Sequence, residues 1–453
     1  MLRVGAAPRS LGVPVGIAMG GYGGRMGPSV GQHDDLQVRA LTLRSGDEHV
    51  GLVVCDLVAL DPSTIARFRQ GLASRSSLDP DRVVVAVTHT HSGPTYGNML
   101  ARYAGQAGVK ARFPEWEADL PERMLEALRA AEASECEATL RVARGHAEVS
   151  VNRRLPDARG EVRLHPNPAG PIDPEVVVMR FDAADGRAIA TLVAYACHAV
   201  TLCEDNVELS ADFVHYLRQS LEAQGSGMVL YVNGACGNLN PSRRGDYAAA
   251  EWVGSRLAQA AGNALASASV DGEASVALAA ATGTVALALK PENQVTAAAR
   301  YVEAARLALS RHSGRDDYEG RRLRAEVERA ERQVGLAEAL AAVLTQRLGP
   351  DGQLTARIQA IRIGPAYLVA VPGEVFVELG ATLKQALAPA ACVLVGYANE
   401  SIGYVPTRSA YLEGGYEPES SWLRPGSGEA LIDGASRLAR GLGAEADEGT
   451  EAV

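Results

Sequence analysis

The sequence predicts an α/β fold with a mixed β-sheet core and flanking helices. Two observations support this prediction. Short apolar runs, typical of buried strands, alternate along the chain with segments whose apolar residues recur at helical spacing. Several of those runs also end in His, Asn, Glu or Tyr, as expected where the carboxyl ends of strands form a binding site. The 453 residues, 47% of them hydrophobic, are sufficient for a large core.

The predicted elements begin with two strands joined by a Ser-Gly-Asp turn within 36–61. A helix that begins with Pro62-Ser63 leads into the buried strand 83–87, and residues 117–134 form the next helix. The alternating stretch 138–154 favours a β-hairpin. The later strands are predicted from their apolar runs at 189–197, 228–232, 367–371 and 392–397.

The domain organisation follows from composition. Residues 1–440 are interpreted as one domain. A segment rich in Ala, Arg and Glu at about 295–347 has helical periodicity, and "HSGRDD" divides it, which predicts a helical hairpin inserted into the domain and laid over the sheet. Residues 441–453 are acidic and are expected to form a frayed tail.

Charge and composition exclude several classes of function. The net charge is −10 and no Lys/Arg cluster is present, so binding to nucleic acid or to an anionic membrane is not expected. No apolar run reaches the roughly 18 residues of a membrane-spanning helix.

The six cysteines lie scattered in apolar surroundings and are interpreted as free thiols. Without a secretory leader in the N-terminal residues, a cytoplasmic location is expected. The sequence leaves the oligomeric state open, including a homo-oligomer.

Polar side chains follow five of the apolar runs. If these strands share a sheet, the side chains after them meet at one edge. The runs and the residues that follow them are 83–87 with His89 and His91, 189–197 with His198, 228–232 with Asn233, 367–371 with Glu374, and 392–397 with Asn399 and Tyr404.

His89 and His91 are the strongest functional signal. Residues i and i+2 of a strand point to the same face, so both imidazoles can enter one cavity, and neutral imidazole is the commonest metal ligand. Three N and O ligands with an open position are the pattern of catalytic zinc, which His198 and Glu374 could complete. The alternative is that one or both histidines bond only to the backbone.

Five segments together resemble the neutral/alkaline non-lysosomal ceramidase family, whose members are zinc-dependent amidases that cleave the N-acyl bond of ceramide. The resemblance extends from about residue 4 to about residue 430. The segments are "AVTHTHSGP" (86–94), "VSVNRRLP" (149–156), "YACHAVTLCEDNVELSADFVHYL" (195–217), "VAVPGEVFVELG" (369–380) and "GYANESIGYVPTRSAYLEGGYE" (396–417).

The resemblance implies a role for each matching residue. It implies that the zinc ligands are His89, His198, Glu374 and Tyr404. It further implies that His91 acts as acid and base beside the metal-bound water, and that Arg153 and Tyr416 donate to the substrate's carbonyl oxygen. The alternatives are that Arg153 is a surface charge and that Tyr416 only covers the pocket.

The chain also departs from the family. Asn240, in "GNLNPS", stands where the family has a serine proposed as a nucleophile, so metal-bound water is expected to attack instead. Asn233, Asn238 and Asn240 are expected to donate hydrogen bonds to the substrate. A Cys236 nucleophile with a histidine base is the alternative for the same loop.

The chain continues little beyond the tyrosine segment, whereas secreted members carry a C-terminal immunoglobulin-like domain. These departures favour a zinc-dependent N-acyl amide hydrolase whose substrate is a small soluble acylated amine, or something lipid-like, and not ceramide itself. An esterase or lactonase with the same site, and a non-catalytic metal-binding relative, remain alternatives.

Overall fold

The computed structural model describes residues 1–22, 25, 27–97, 113–268, 276–290, 294–312, 317–345 and 348–448. Its architecture is mixed α/β, which confirms the predicted fold class. No helix in these ranges is long and apolar enough to cross a lipid bilayer.

The strands in chain order are β1 (Arg3–Ser10), β2 (Gly31–Gln32), β3 (Gln37–Ser45), β4 (Glu48–Cys55), β5 (Val83–Val87), β6 (Cys136–His146), β7 (Ser150–Pro156), β8 (Val162–Asn167), β9 (Glu175–Ala183), β10 (Ala188–Tyr195), β11 (Glu208–Leu209), β12 (Met228–Asn233), β13 (Leu239–Pro241), β14 (Leu278–Leu287), β15 (Leu354–Ile363), β16 (Ala366–Ala370), β17 (Glu374–Val375), β18 (Ala391–Val395) and β19 (Tyr404–Val405).

The α-helices are α1 (Pro62–Arg75), α2 (Pro114–Ala133), α3 (Phe213–Ala223), α4 (Tyr247–Ser267), α5 (Gln294–Arg311), α6 (Tyr318–Thr345), α7 (Val377–Leu387), α8 (Arg408–Glu413), α9 (Tyr416–Ser420) and α10 (Ser427–Glu448). A 3₁₀ turn (Pro80–Arg82) precedes β5. Residues 441–448 of the expected acidic tail therefore belong to α10, and 449–453 lie outside the described residues.

Two sheets stack face to face between two layers of helices. The larger sheet has the order β12-β10-β9-β6-β1-β3-β4-β5, and the smaller has the order β14-β15-β16-β18. Alternation along β5 illustrates the layering, because Val83, Val85 and Val87 pack against α1 to α4 while Val84 and Ala86 face the second sheet. The outer face of the second sheet packs on α7 and α10.

The two edge strands of the larger sheet approach each other at their carboxyl ends. The Nδ2 of Asn233, at the end of β12, donates to the carbonyl of Thr88, just after β5, at 3.3 Å. The second sheet reaches the same place, since the amide of Asn399 donates to the carbonyl of Val85 at 2.6 Å. The strand ends therefore converge as expected, although they come from two sheets and not from one.

The inserted helical hairpin is present, with α5 and α6 packed together. Its apolar seam includes Val302, Ala305 and Ala330. Among the described residues of the hairpin, Val295, Ala298 and Ala341 contact the core of the second sheet. The described side chains of the hairpin thus pack on one another and contact the domain core near its base. Its position over the sheet stays a prediction.

The stretch 138–154 does not form the predicted hairpin. β6 lies in the larger sheet, whereas β7 pairs with β13 and β8 in a separate three-stranded sheet. Alternation identified both strands correctly, but it carries no information about which partner each strand takes. The separate sheet places Arg153 of β7 beside the loop that follows β12.

Candidate metal centre

The loop after β5 presents His89 and His91 to one cavity. Both residues lie beyond the end of the strand, and His89 has a left-handed backbone with φ of 60°. The Nε2 atoms of the two imidazoles are 3.2 Å apart. Their shared direction therefore comes from a strained turn and not from the alternation of a strand. Left-handed conformations are costly for residues other than glycine. Residues strained in this way are often found at functional sites.

His198 enters the same cavity from the loop after β10. It is fully buried, and its Nδ1 donates to the carbonyl of Cys236 at 2.7 Å. The Nδ1 of His89 likewise donates to the carbonyl of Val58 at 2.6 Å. Since a carbonyl can only accept, both rings carry their proton on Nδ1 and direct the Nε2 lone pair into the cavity. This is the tautomer that a metal requires.

Glu374 supplies a carboxylate to the cluster from β17. Its Oε2 lies 3.0 Å from the Nε2 of His198 and 3.6 Å from that of His89. The preceding Gly373 has a φ of 81°, and a side chain there would lie 2.7 Å from the carbonyl of Gly403. Only glycine fits this turn, which lets β17 pair with β19 and sets Glu374 opposite Tyr404.

The cavity favours uncharged imidazoles. Burial lowers the pKa of His89 to about 4, although the carboxylate of Glu374 opposes the shift. Burial also lowers the pKa of His91 and of His198 well below the usual value. The same burial raises the pKa of Glu374, against the influence of His89 and Arg153. The histidines are therefore neutral near pH 7, the protonation state in which imidazole binds metals.

A set of charged and aromatic residues lines the other side of the cavity. Arg153 Nη2 donates to the hydroxyl of Tyr404 at 3.1 Å, and its Nε donates to Glu417 at 2.8 Å. The ring of Tyr416 meets that of Tyr404 edge to face with centroids 5.6 Å apart, and Tyr416 is 43% exposed. Arg153 is 6% exposed, so it is not a surface charge.

The three asparagines have different positions. Asn240 Oδ1 accepts from Arg153 Nη1 at 3.3 Å, so this residue lies at the candidate site. Asn233 is buried and bonds to the backbone of Cys197 and Thr88. Asn238 accepts from the amide of Val377 and donates to a carboxylate on α7. The amides of Asn233 and Asn238 hold loops and a helix end together, so substrate binding by these two residues stays a prediction that these contacts do not support.

The structure also contradicts the alternative of a cysteine nucleophile. Cys236 is fully buried, and burial raises the pKa of its thiol to about 12. A reactive cysteine instead needs a lowered pKa and access to substrate.

Two residues of this site were missed in the sequence. Glu417 is 1% exposed and pairs with both Arg153 and Arg154. Tyr397 stacks on the imidazole of His89. Both lie inside the tyrosine segment, and the arginine pair in "VNRRLP" was a signal that a buried acid should accompany it, because buried charges are normally paired.

The fold and the site together define an α/β protein with a candidate divalent-metal centre. Among the described residues, His89, His91 and His198 form a cluster whose ligand atoms all lie within 4.8 Å of one another. Glu374 is in contact with two of them.

The chain belongs to the neutral/alkaline non-lysosomal ceramidase family, whose N-terminal domain model matches residues 4–305. A neutral ceramidase of Mycobacterium tuberculosis is 33% identical over 105 residues, which are 22% of this chain and 16% of that protein. Among solved structures, the neutral ceramidase from Pseudomonas aeruginosa superposes with a TM-score of 0.70 at 19% identity, over 96% of this chain and 74% of that one. A ceramidase complexed with C2 gives 0.69 at 18% identity, over 95% and 74%. These two structures share the fold.

Proposed function

We propose that this chain is a zinc-dependent amidohydrolase that cleaves the N-acyl bond of a small soluble amide. The observation that carries the proposal is the convergence of two Nε2 lone pairs, those of His89 and His198, on the carboxylate of Glu374. A main-chain carbonyl accepts a hydrogen bond from the Nδ1 of each of these histidines, which leaves each Nε2 unprotonated. Such outer hydrogen bonds usually accompany metal-ligating histidines.

The donor set suits zinc. Two imidazole nitrogens and one carboxylate oxygen match the ligands of catalytic zinc sites, and Tyr404, opposite Glu374, is the candidate for a fourth ligand. When bound, zinc supplies Lewis-acid chemistry, polarising a carbonyl and lowering the pKa of water to about 7.

His91 is the proposed proton carrier. Its Nε2 faces the Nε2 of His89 at 3.2 Å, and its buried Nδ1 has no hydrogen-bond partner among the described residues. Burial keeps the ring neutral. The Nε2 of His91, which faces the candidate ligands, is the atom that would accept a proton from the attacking water and then return it to the nitrogen of the leaving amine.

Arg153 and Tyr416 are the proposed donors to the substrate's carbonyl oxygen. Glu417 accepts a hydrogen bond from the Nε of Arg153 and so fixes the guanidinium. The Nη2 of Arg153 is thereby directed toward the hydroxyl of Tyr404. Tyr416 lies next to Tyr404 at the solvent-exposed rim, where a substrate can reach its hydroxyl. Donors held in place before the reaction stabilise negative charge on oxygen without reorganisation.

The choice of a small soluble amide rests on the composition and on Asn240. Only 5% of residues are aromatic, which leaves few rings to line a cavity for a long acyl chain. Asn240 places a carboxamide beside Arg153, where the relatives carry a serine. An ester would meet the same catalytic groups, so an esterase or lactonase is the second candidate.

The test is metal analysis combined with a substrate panel. Purified wild-type protein is expected to contain about one zinc per chain. It should hydrolyse short N-acyl amines faster than ceramide and faster than esters of matched acyl group. A preference for the esters would favour the second candidate. Stoichiometric zinc without turnover on any acyl substrate would favour a binding role, and protein that holds no divalent metal would overturn the proposal.

A further inference from the structure

Tyr397 contacts two of the candidate zinc ligands but is not itself one of the predicted ligands. Its ring stacks on the imidazole of His89 with centroids 4.1 Å apart and planes inclined by 24°. It is 8% exposed and follows β18 in the second sheet. We propose that Tyr397 is a positioning residue that holds the ring of His89 in the orientation required for metal binding. This inference rests on the proposed zinc site.

The backbone places Tyr397 under His89 at a conformational cost. Tyr397 has a φ of 55° and Asn399 a φ of 61°, so two non-glycine residues within three positions are left-handed. Such a conformation is strained for residues other than glycine and persists only where the surroundings enforce it. Here the amide of Tyr397 donates to the carbonyl of Gly373 at 3.1 Å. The turn is thereby joined to the segment that carries Glu374.

Asn399 fixes the other end of the turn to the strand before His89. Its amide donates to the carbonyl of Val85 at 2.6 Å, and its side-chain Oδ1 accepts from Arg69 Nη2 at 3.0 Å. Its Nδ2 donates to Gln359 at 2.7 Å. Val85 lies four residues before His89 on the buried strand β5. The turn therefore holds the Tyr397 ring at a fixed place relative to both His89 and Glu374.

The aromatic ring, and not the hydroxyl, has the contact that matters for His89. The hydroxyl of Tyr397 lies 3.1 Å from Cys236 Sγ. Its distance to the Nε2 of His198 is 3.5 Å, and this second distance is too long for a strong hydrogen bond. The bond from His89 Nδ1 to Val58 sets the direction of the imidazole. The stacked ring limits rotation of its plane, and together they aim the Nε2 at the cavity.

Two substitutions separate the ring from the hydroxyl. Tyr397→Phe keeps the stacked ring, whereas Tyr397→Leu removes it. Neither substitution introduces a side chain branched at Cβ at this left-handed backbone position. Metal-free protein is titrated with Zn²⁺ against a chromophoric chelator. Tyr397→Phe should bind within about threefold of wild type, and Tyr397→Leu about 10- to 100-fold more weakly, as is typical when a residue supporting a metal ligand is lost.

A spectroscopic readout distinguishes positioning from a general loss of stability. In the Co²⁺-substituted proteins, the visible bands of Tyr397→Leu should differ from wild type while those of Tyr397→Phe do not. If Tyr397→Leu does not fold, Tyr397→Met keeps a long apolar side chain without a ring and is measured in its place. If the ringless variant matches wild type in zinc affinity and Co²⁺ bands, the positioning role of Tyr397 is overturned and the proposed function stands. Equal losses in both variants would assign the role to the hydroxyl and would also overturn the positioning role of the ring. If wild-type protein binds no divalent metal, both the positioning role and the proposed function are overturned.

Discussion

The two sides of the candidate site are built differently. In the histidine wall, formed by His89, His91 and His198, His91 is partly exposed and the other two residues are buried. Neutral main-chain carbonyls fix the rings of His89 and His198. The tyrosine wall, formed by Tyr404 and Tyr416, is supported by the ion pair between Arg153 and Glu417. His198 is fully buried, whereas Tyr416 is 43% exposed.

This contrast separates two tasks. Uncharged partners fix the tautomer of an imidazole without adding a charge, which suits a group that binds a cation. A guanidinium supplies permanent positive charge, which suits a group that faces an oxygen becoming negative. Substitutions of His89 and His198 should therefore affect metal binding, and those of Arg153 and Tyr416 should affect turnover.

The largest effect is expected from His198→Ala. Removal of one ligand should lower zinc affinity by more than the roughly 100-fold that loss of a supporting residue costs, and activity should disappear with the metal. Metal analysis after dialysis and an amide-hydrolysis assay measure the two effects. His215→Ala is the control, because His215 lies outside the site with its side chain 30% exposed. Full zinc content and activity in the His198 variant would refute its assignment as a ligand.

The tyrosine wall is tested next by Glu417→Gln. Glu417 is 1% exposed and pairs with two buried arginines. Removing its charge should lower the free energy of unfolding by about 3–5 kcal/mol, because Arg153 loses its ion-pair partner and Arg154 keeps only the exposed Glu413. Denaturant titration of metal-free protein measures this change.

The matched control for Glu417 is the exposed pair between Glu161 and Arg163. Glu161→Gln should change the free energy of unfolding by less than about 1 kcal/mol, as exposed ion pairs contribute little. Equal effects of the two substitutions would show that the buried pair does not support the tyrosine wall.

Tyr416→Phe should separate turnover from metal binding. Loss of one donor to the carbonyl oxygen is expected to lower kcat by about 100-fold, while zinc content stays at the wild-type level. Steady-state kinetics with the best amide from the panel gives kcat and KM separately. An unchanged kcat would leave Tyr416 as a cover for the pocket.

The smallest effect is expected from Asn240→Ala. Asn240 contacts Arg153 Nη1 through a single 3.3 Å hydrogen bond, and the proposed reaction assigns it no nucleophilic role. The loss in kcat/KM should stay near or below about 10-fold, in line with the roughly 0.5–1.5 kcal/mol of an ordinary hydrogen bond. Loss of all activity with normal zinc content would mean that the role of this loop is misassigned.

The sequence predicted those features that depend on local pattern. The buried strand before His89, the runs before His198 and Glu374, and the two inserted helices have periodicities that the structure confirms. The grouping of Tyr404 and Tyr416 came from a family resemblance, since no local pattern places two loops side by side.

What could not be predicted depends on contacts between distant segments. Asn233 ends β12 and Asn238 lies in the loop after it, but only the fold reveals that their amides bond to the backbone and to α7. Glu417 could not be matched to Arg153 because 264 residues separate them. Tyr397 could not be matched to its stacking partner His89 either, because the two residues follow strands of different sheets.

The pairing of β14 with β15 has a consequence for modularity. Leu287 and Leu354, at the two ends of the inserted segment, are direct partners in the antiparallel register. The inserted helical hairpin thus occupies the position of an ordinary tight turn between neighbouring strands. A shorter connection can bridge the same gap, so the inserted hairpin is the natural place to trim this scaffold or to graft a foreign module onto it.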